Sequence, residues 1–447
     1  MRALLLLFLS ILLGANSAFA YDLVLPKEKR SIVNTNYAFF VGKANKTESI
    51  TINDEKIYIA PNGAFAHSVK LKEGENRIMV KSNFNTQVYK FYKNSIEKPF
   101  KPEIIELEPK LYKVKKDNTP LRNTPVDFGM NRISHLFEGT YLLINGQKGR
   151  FYRVFLAKDN EVWIDKESVA ETNEVIIPKF LTMNNERFKN ASKHSIEFTE
   201  KLPYTISETK DEIIFKVYDP LTSNNSIYTI NIPKPEKYTY KTSLDKGTYV
   251  FKVSELPKPE TQTLDGLVIT IDAGHGGSEK GALGCLGDKE KDINLKIANE
   301  LKEILNAMGA TTIMTRECDG NVSLEDRVKI AQENDTNIFI SIHLNSIPDI
   351  KFDVHKNRGT SVYHYNPNSK ALAQSVEEAL LNKINTRNDG IKTASFAVIR
   401  PTDYIGILVE VAYMTNPNDS VLYTQENFPK ETAQGIAEGI LNYINAE

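Results

Sequence analysis

The alternation of hydrophobic and polar residues changes character once along the chain, near residue 264. Across residues 36–253, short apolar and polar bursts are separated by turn residues and prolines, as in strands with one buried face. Beyond that point, β-branched apolar runs such as residues 267–271 alternate with stretches of helical spacing such as residues 293–305. The first pattern predicts N-terminal all-β modules. The second predicts a C-terminal α/β domain with a mostly parallel sheet covered by helices.

Proline-rich breaks near residues 98–102 and 257–259 indicate linkers between the predicted modules. The aromatic residues at Phe137, Phe151-Tyr152 and Trp163 fall in an order that resembles bacterial Src-homology-3-like barrels. We therefore expect four units after residue 20: a β-sandwich-like module at 21–100, a small Src-homology-3-like barrel at 108–170, a β-rich module without an assigned role at 171–260, and the α/β domain at 264–447.

The amino terminus has the pattern of a secretory signal peptide. Arg2 precedes an apolar run at residues 3–13, and Ser17-Ala18-Phe19-Ala20 ends in the small-residue motif of a cleavage site. The run is shorter than the roughly 20 apolar residues that a membrane span needs. We expect residues 1–20 to be removed and the protein to act outside the cytoplasm, in a periplasm or secreted to the cell wall.

Composition narrows the function classes further. Lys plus Arg is 56 and Asp plus Glu is 57, for a net charge of −1, so no positive excess favours nucleic acid or an anionic membrane. With 447 residues and 2 cysteines, the chain is multidomain and has too few thiols for a disulfide framework or a four-thiolate zinc site. Export would permit a bridge between Cys285 and Cys318, which the sequence leaves open.

Chemistry-bearing residues follow the predicted buried strands of the α/β domain, where such sheets form their sites. His275 lies in the glycine-rich segment after the first strand, and His343 follows the apolar run at residues 338–342. Glu290 precedes the first helix, and Glu410 lies within an apolar segment in which an unpaired carboxylate is unfavourable. In isolation, Glu290 would be read as an ordinary helix-start acid.

Two histidines and one glutamate make a catalytic zinc set that leaves a fourth position for water. We therefore predict that His275, Glu290 and His343 bind Zn²⁺. The metal would lower the pKa of the water and polarise the attacked carbonyl. A carboxylate that is not a ligand must then move the proton, and Glu410 is the candidate. Residue types and spacing alone thus indicate metal-assisted hydrolysis.

The same residues belong to a longer series of motifs that resembles the zinc-dependent N-acetylmuramoyl-L-alanine amidases of bacterial cell-wall remodelling. The series comprises Asp272-x-Gly274-His275-Gly276-Gly277, Glu290-Lys291-Asp292, Thr315-Arg316, Leu324-x-x-Arg327, Ser341-Ile342-His343-Leu344-Asn345, Gly359-Thr360 and Val409-Glu410, followed by Thr415-Asn416. The resemblance implies His275, Glu290 and His343 as zinc ligands and Glu410 as acid/base. It also implies cleavage of the amide between the lactyl group of N-acetylmuramic acid and L-alanine in peptidoglycan.

This chain departs from the family's pattern at two places without losing a catalytic group. Ala273 stands where proline is usual, and Val411-Ala412-Tyr413 replaces the commoner continuation after the glutamate. Some periplasmic members carry a helical insertion after the Gly-Thr-Val strand that plugs the site until an activator binds. Here residues 359–365 lead within a short turn to the next helix. We therefore expect no activator to be needed to unblock the site.

Two further residues are candidates for binding substrate, Asn345 and Arg400, because an amide and a guanidinium can orient carbonyl or carboxylate groups. Two other functions compete with the amidase. One is an exported zinc peptidase that cuts within peptidoglycan stem peptides. The other is a non-catalytic wall-binding protein, against which the complete set of four site residues argues.

Overall fold

The structure, a computed structural model, describes residues 21–83, 85–94, 102–222, 225–245, 247–259, 262–346, 354 and 357–446. The predicted signal peptide lies outside these residues. Within them, no helix combines the length and the apolar character that crossing a membrane requires.

The first β region contains eight strands in two sheets that share one buried cluster. The strands are β1 (Tyr21–Leu25), β2 (Arg30–Val33), β3 (Tyr37–Ala44), β4 (Thr51–Ile52), β5 (Glu55–Lys56), β6 (Ala64–Lys70), β7 (Gly74–Lys81) and β8 (Thr86–Lys93). Their orders are β1-β3-β6 and β2-β8-β7-β4-β5. Phe40 from the first sheet and Val80 from the second lie in the same buried cluster, so the sheets pack face to face.

The second β region is one antiparallel sheet of seven strands, in the order β11-β10-β14-β13-β12-β9-β15. The strands are β9 (Ile105–Val114), β10 (Thr119–Arg122), β11 (Arg132–Leu136), β12 (Tyr141–Lys148), β13 (Phe151–Ala157), β14 (Asn160–Asp165) and β15 (Val169–Glu171). Trp163, the only tryptophan of the chain, is buried in this region. The likeness to a Src-homology-3 barrel stays a prediction.

The third β region pairs a four-stranded sheet, β16-β17-β22-β21, with a three-stranded one, β18-β19-β20. The strands are β16 (Phe180–Phe188), β17 (Ala191–Phe198), β18 (Tyr204–Glu208), β19 (Glu212–Asp219), β20 (Ser226–Pro233), β21 (Tyr238–Asp245) and β22 (Thr248–Glu255). One buried cluster joins Leu121 and Val154 of the second region to Phe215 and Tyr249 of the third. The boundary expected at residue 170 therefore separates two sets of strands that share one core.

The C-terminal domain is a six-stranded sheet with helices on both faces. Its strands are β23 (Val268–Ala273), β24 (Thr311–Met314), β25 (Ile338–Asn345), β26 (Thr360–His364), β27 (Asn388–Thr393) and β28 (Ile405–Tyr413). Its helices are α1 (Glu290–Ala307), α2 (Leu324–Glu333), α3 (Lys370–Ile384), α4 (Pro417–Tyr423) and α5 (Phe428–Asn445). The strand order is β24-β23-β25-β28-β26-β27.

This sheet is mixed, and the expectation of a mostly parallel sheet is not confirmed. Strand β26 runs antiparallel to β28, with Ser361 opposite Glu410, and the remaining neighbours pair in parallel. No described helix lies between β25 and β26.

Alternating side chains of β25 pack into two hydrophobic clusters, one on each face of the sheet. Ile338 and Ile340 lie in the cluster formed with α1, α3 and α5. Phe339 lies in the smaller cluster on the other face, with Ala331 of α2 and Leu408. Because residues 339, 341 and 343 share a face in a strand, His343 lies on the α2 side of the sheet, at the carboxyl end of β25.

Candidate active site

Neighbouring strands bring the predicted site residues to one edge of the sheet. β23, β25 and β28 run in parallel side by side, and His343 pairs with Glu410 in the ladder. His275 lies just beyond the end of β23, with a φ of 61° that non-glycine residues rarely adopt. Glu290 is the first residue of α1, which packs against β23 and β25. The topology therefore gathers four residues that are far apart in sequence.

The side chains of His275, Glu290 and His343 form a compact donor cluster. His275 Nε2 lies 3.2 Å from Glu290 Oε2, and His343 Nδ1 lies 2.9 Å from Glu290 Oε1. One ligand atom from each residue lies within 4.8 Å of the other two. The imidazole rings meet edge to face, with centroids 4.9 Å apart. These are donor types that zinc accepts, at a spacing that one ion can span.

Glu290 is buried and held as a carboxylate. Its oxygens accept hydrogen bonds from the backbone N–H groups of Ala282 at 2.7 Å and Leu344 at 3.2 Å. Burial alone would raise its pKa, but hydrogen bonds and charge interactions with His275 and His343 lower the pKa below its usual value. The group is therefore an anion, the form that binds a metal.

Two glycines make room for the cluster. A Cβ on Gly274 would lie 2.2 Å from His343 Cε1. A Cβ on Gly281 would lie 2.4 Å from Glu290 Oε2, and its φ of +68° is itself unfavourable for other residues. The backbone can therefore pass this close to the His343 ring and the Glu290 carboxylate only because both positions are glycine.

Glu410 lies beside the cluster without joining it. The residue is partly exposed, but its Oε2 is buried and has no hydrogen-bond partner among the described residues. Burial raises its pKa to about 8, and the negative charge of Glu290 adds to that effect, whereas His343 opposes it. A carboxyl group with a pKa near neutrality can both accept and donate a proton in one reaction cycle.

A buried carboxylate that the sequence reasoning gave no role, Asp272, organises the floor of the site. It accepts hydrogen bonds from Thr315 Oγ1 and Ser341 Oγ, both at 2.7 Å, and forms an ion pair with Arg327. Only its place at the end of a buried strand could have signalled this role. The three partners connect the end of β23 to the middle of β25, to α2 and to the loop after β24.

Arg316 and Arg327 hold the backbone that carries His275. Arg316 donates to the carbonyl oxygens of Ala273 at 2.8 Å and Gly274 at 3.0 Å. Arg327 donates to Ala273 O at 2.9 Å and to His275 O at 2.8 Å. Each nitrogen of these two buried guanidinium groups donates at least one hydrogen bond, and together they hold the backbone from which the His275 ring projects.

The two candidate substrate-binding residues lie in different places. Asn345 is half-buried at the end of β25, near His343. Arg400 precedes β28, whose first residue pairs with Ile338, whereas Glu410 lies at the far end of that strand. The structure therefore does not bring Arg400 to the donor cluster. Arg400 Nη1 instead donates a hydrogen bond to Ser395 O at 2.9 Å.

The two cysteines do not form the bridge that the sequence left open. Cys285 is buried and Cys318 is exposed, and both are free thiols. Among the described residues, neither belongs to the group of side chains that could hold a metal ion.

Two imidazoles and a carboxylate, with a second carboxyl group beside them, are the arrangement of a zinc hydrolase. Residues 269–442 match the family described as N-acetylmuramoyl-L-alanine amidase. The chain is 31% identical over 214 residues to the germination-specific N-acetylmuramoyl-L-alanine amidase of Bacillus subtilis, covering 44% of this chain and 87% of the relative. It is 36% identical to the probable cell wall amidase LytH of Staphylococcus saprophyticus, covering 42% of this chain and 62% of that relative.

Among solved structures, the catalytic domain of CwlV, an N-acetylmuramoyl-L-alanine amidase from Bacillus (Paenibacillus) polymyxa var. colistinus, is 33% identical. That match covers 40% of this chain and 99% of the other, with a TM-score of 0.38. The chain belongs to the N-acetylmuramoyl-L-alanine amidases, a zinc-dependent family of hydrolases that act on a linear amide. The family match leaves all three β regions outside it.

Proposed function

We propose that the protein is exported and hydrolyses, in peptidoglycan, the amide between the lactyl group of N-acetylmuramic acid and L-alanine. In this proposal His275, Glu290 and His343 hold zinc, and Glu410 moves the proton. One observation carries this proposal: Glu410 lies beside the His–Glu–His donor cluster and pairs with His343 in the sheet. Its Oε2 is buried and has no hydrogen-bond partner among the described residues.

The donor set suits zinc better than a harder cation. Imidazole nitrogens are preferred by zinc, whereas calcium and magnesium are bound by oxygen-rich sites. Glu290 is already an anion. Burial lowers the pKa of His343, but the hydrogen bond and the negative charge of Glu290 raise it overall, so metal binding would release the proton that this imidazole holds. Zinc bound there would supply Lewis acidity, which activates water and polarises the scissile carbonyl.

The role of Glu410 follows from its surroundings. Its Oε2 has no competing hydrogen bond among the described residues, so it is free to accept a proton from the attacking water. The same oxygen then donates that proton to the departing L-alanine amine. A bound cation would favour the carboxylate and bring its pKa down from about 8. The acid/base group would then be poised near neutral pH.

Export and action at the cell wall are part of the proposal. The sequence at residues 1–20 has the parts of a signal peptide, and LytH, to which the chain is similar, is described as a probable cell wall amidase. The substrate would be peptidoglycan. We further propose that the three β regions position the catalytic domain on the wall.

An activator that unblocks the site is not part of the proposal. Strand β26 ends at His364, and α3 begins at Lys370 after one short helical turn, Pro367–Ser369. That connection leaves no space for a helical plug inserted between the two elements.

Digestion of purified peptidoglycan by residues 21–447, with and without a chelator, tests the proposal. We expect chelator-sensitive release of whole stem peptides that begin with L-alanine, identified by mass spectrometry. Cuts elsewhere in the stem would instead support an exported zinc peptidase. If the zinc-loaded protein does not cut, either the hydrolase assignment is wrong or an activator is required. Adding cell-envelope extract distinguishes the two, because cutting that appears only with the extract would indicate an activator.

A further inference from the structure

We propose that Arg400 of the catalytic domain and Arg132 of the second β region form an anion site that binds a carboxylate of the stem peptide. The inference rests on the proposed function and names the part of the substrate that this second site would hold. It concerns a surface where the catalytic domain meets the second and third β regions, away from the metal cluster.

Direct contacts define this junction. A Cβ on Gly129 would lie 2.4 Å from Ser395 Cβ, so the short helical turn Gly129–Asn131 packs closely against the catalytic domain. Tyr204 of the third region donates to His135 O at 2.6 Å. The backbone N–H of Tyr240 donates to Thr402 O at 2.7 Å. Two β regions are therefore held against the segment that carries Arg400.

Positive charge converges at the junction. Arg122, Arg132 and Arg400 all act on His135, and with burial they lower its pKa to about 4. Burial and repulsion from Arg132 also lower the pKa values of Arg122 and Arg400. Guanidinium groups gathered in partly buried positions repel one another, and an anion bound between them would offset that repulsion.

The protein balances only part of this charge. Arg122 pairs with Asp127 at 2.8 Å, and Asp165 pairs with the exposed Arg150. Within the described part of the chain, neither Arg132 nor Arg400 has an ion-pair partner. The Nε of Arg132 is buried and has no hydrogen-bond acceptor there. Both side chains are half-buried, so each keeps surface that a ligand can reach.

A track along β26 connects this junction with the catalytic edge. Ser361 lies opposite Glu410, and Tyr363 and Tyr365, which follow at alternate positions, both pack on the α2 face. Tyr365 lies within electrostatic range of Arg132 and Arg400, which act to lower its pKa against the raising effect of burial. Four residues of strand span about 13 Å.

That distance selects a peptide carboxylate. An extended peptide advances roughly 3.3–3.6 Å per residue, so about four residues reach from an amide at Glu410 to the level of Tyr365, the tyrosine on which Arg132 and Arg400 act. A free carboxylate at the end of a tetrapeptide stem would arrive there, and two guanidinium groups can bind it through paired N–H donors.

Binding to the full chain carrying Glu410→Gln, loaded with zinc, tests the site without turnover. The probes are a stem tetrapeptide that begins with L-alanine and the same peptide with its carboxyl terminus amidated, each titrated calorimetrically. We expect the acid to bind about tenfold more tightly than the amide, the effect of one charge-assisted contact. Arg132→Gln should abolish this preference, and Arg187→Gln, at an exposed arginine of β16, should preserve it.

Several outcomes would overturn the site. Equal binding of acid and amide would do so, as would an equal loss of preference with Arg187→Gln. So would displacement by inorganic phosphate without any preference between the peptides, which would identify a phosphate site. If Arg132→Gln lowers the melting temperature, the preference for the acid over the amide is measured in Arg400→Gln instead, and loss of that preference is expected there. Peptidoglycan digestion by the enzyme with an intact Glu410 is measured separately, so failure of the amidase reaction is distinguishable from failure of this site.

Discussion

Arg327 Nη2 donates a hydrogen bond to the backbone carbonyl oxygen of His275 at 2.8 Å. His275 has a φ of 61°, a left-handed conformation that disfavours side chains larger than glycine. The same guanidinium pairs with Asp272. A residue on α2 thus stabilises the strained backbone from which a predicted metal ligand projects, without touching the metal cluster.

Arg327→Gln should therefore weaken zinc binding by about 10- to 100-fold, as expected when an outer-shell partner of a ligand is lost. A competition titration with a colorimetric chelator measures the affinity. Lys329→Gln, an exposed change on the same helix, is the control and should retain wild-type affinity. Unchanged affinity in Arg327→Gln would show that the His275 backbone needs no such support.

Glu410→Gln should keep zinc and lose turnover by about 100- to 10,000-fold, the usual contribution of a positioned acid/base. His275→Ala should lose both zinc and turnover, because it removes a donor. Metal content by mass spectrometry and peptidoglycan digestion measure the two properties separately. A nearly normal rate in Glu410→Gln would refute the acid/base assignment.

Glu410 should also make the metal-free protein less stable as pH rises. Its pKa of about 8 in the folded protein exceeds the ordinary value of 4.5, so the folded state holds the proton more tightly than the unfolded state does. Stability from this group is therefore complete below about pH 4.5 and is lost as pH rises through 8. Glu410→Gln should raise the melting temperature of the chelated protein at pH 9 more than at pH 5. An equal effect at both values would contradict the raised pKa.

Activity should follow the opposite direction with pH, because the base must be ionised to accept a proton. The acidic limb of the kcat/KM profile should have a midpoint between 4.5 and 8, since a bound cation lowers the pKa from its metal-free value. The residual activity of Glu410→Gln should lack that limb. A limb that persists unchanged in this variant would belong to another group.

Gly274→Ala should disrupt the metal cluster through a clash with the His343 ring, 2.2 Å from the new Cβ. Overpacking of this kind typically lowers stability by about 1–3 kcal/mol. Gly320→Ala, at a position with no atom within 4 Å of the added Cβ, is the matched control. Thermal unfolding and zinc titration of both variants test the expectation. Wild-type zinc affinity in Gly274→Ala would show that the ring can move aside.

The sequence pattern predicted how the site is assembled because each residue follows a signal that is local. His343 follows an apolar run, Glu410 lies within another, and Glu290 precedes a helical repeat. Parallel strands then bring their carboxyl ends to one edge, where the structure brings these side chains together. The end of a helix also follows from a local signal. Helix α1 ends at Ala307, shortly before Gly309, whose φ of +94° is a conformation that glycine adopts at helix ends.

Contacts between residues far apart in the sequence, and the order of the strands, could not be predicted from such local signals. The ion pair of Asp272 with Arg327 joins residues 55 positions apart, and nothing in the local pattern selects that pairing. The direction of β26 depends on which strand it joins after a segment with no described helix. The place of Arg400, beyond the amino end of β28, likewise follows from strand order.

The strand order also has a consequence for biosynthesis. β28 is the last strand of the sheet in sequence, yet it occupies a central place between β25 and β26. A ribosome therefore completes the three donor residues well before it makes Glu410. A nascent or truncated chain that ends before β28 contains all three side chains of the donor cluster but lacks the proposed proton carrier. The proposed hydrolysis therefore requires about the last quarter of the domain, which begins with β28.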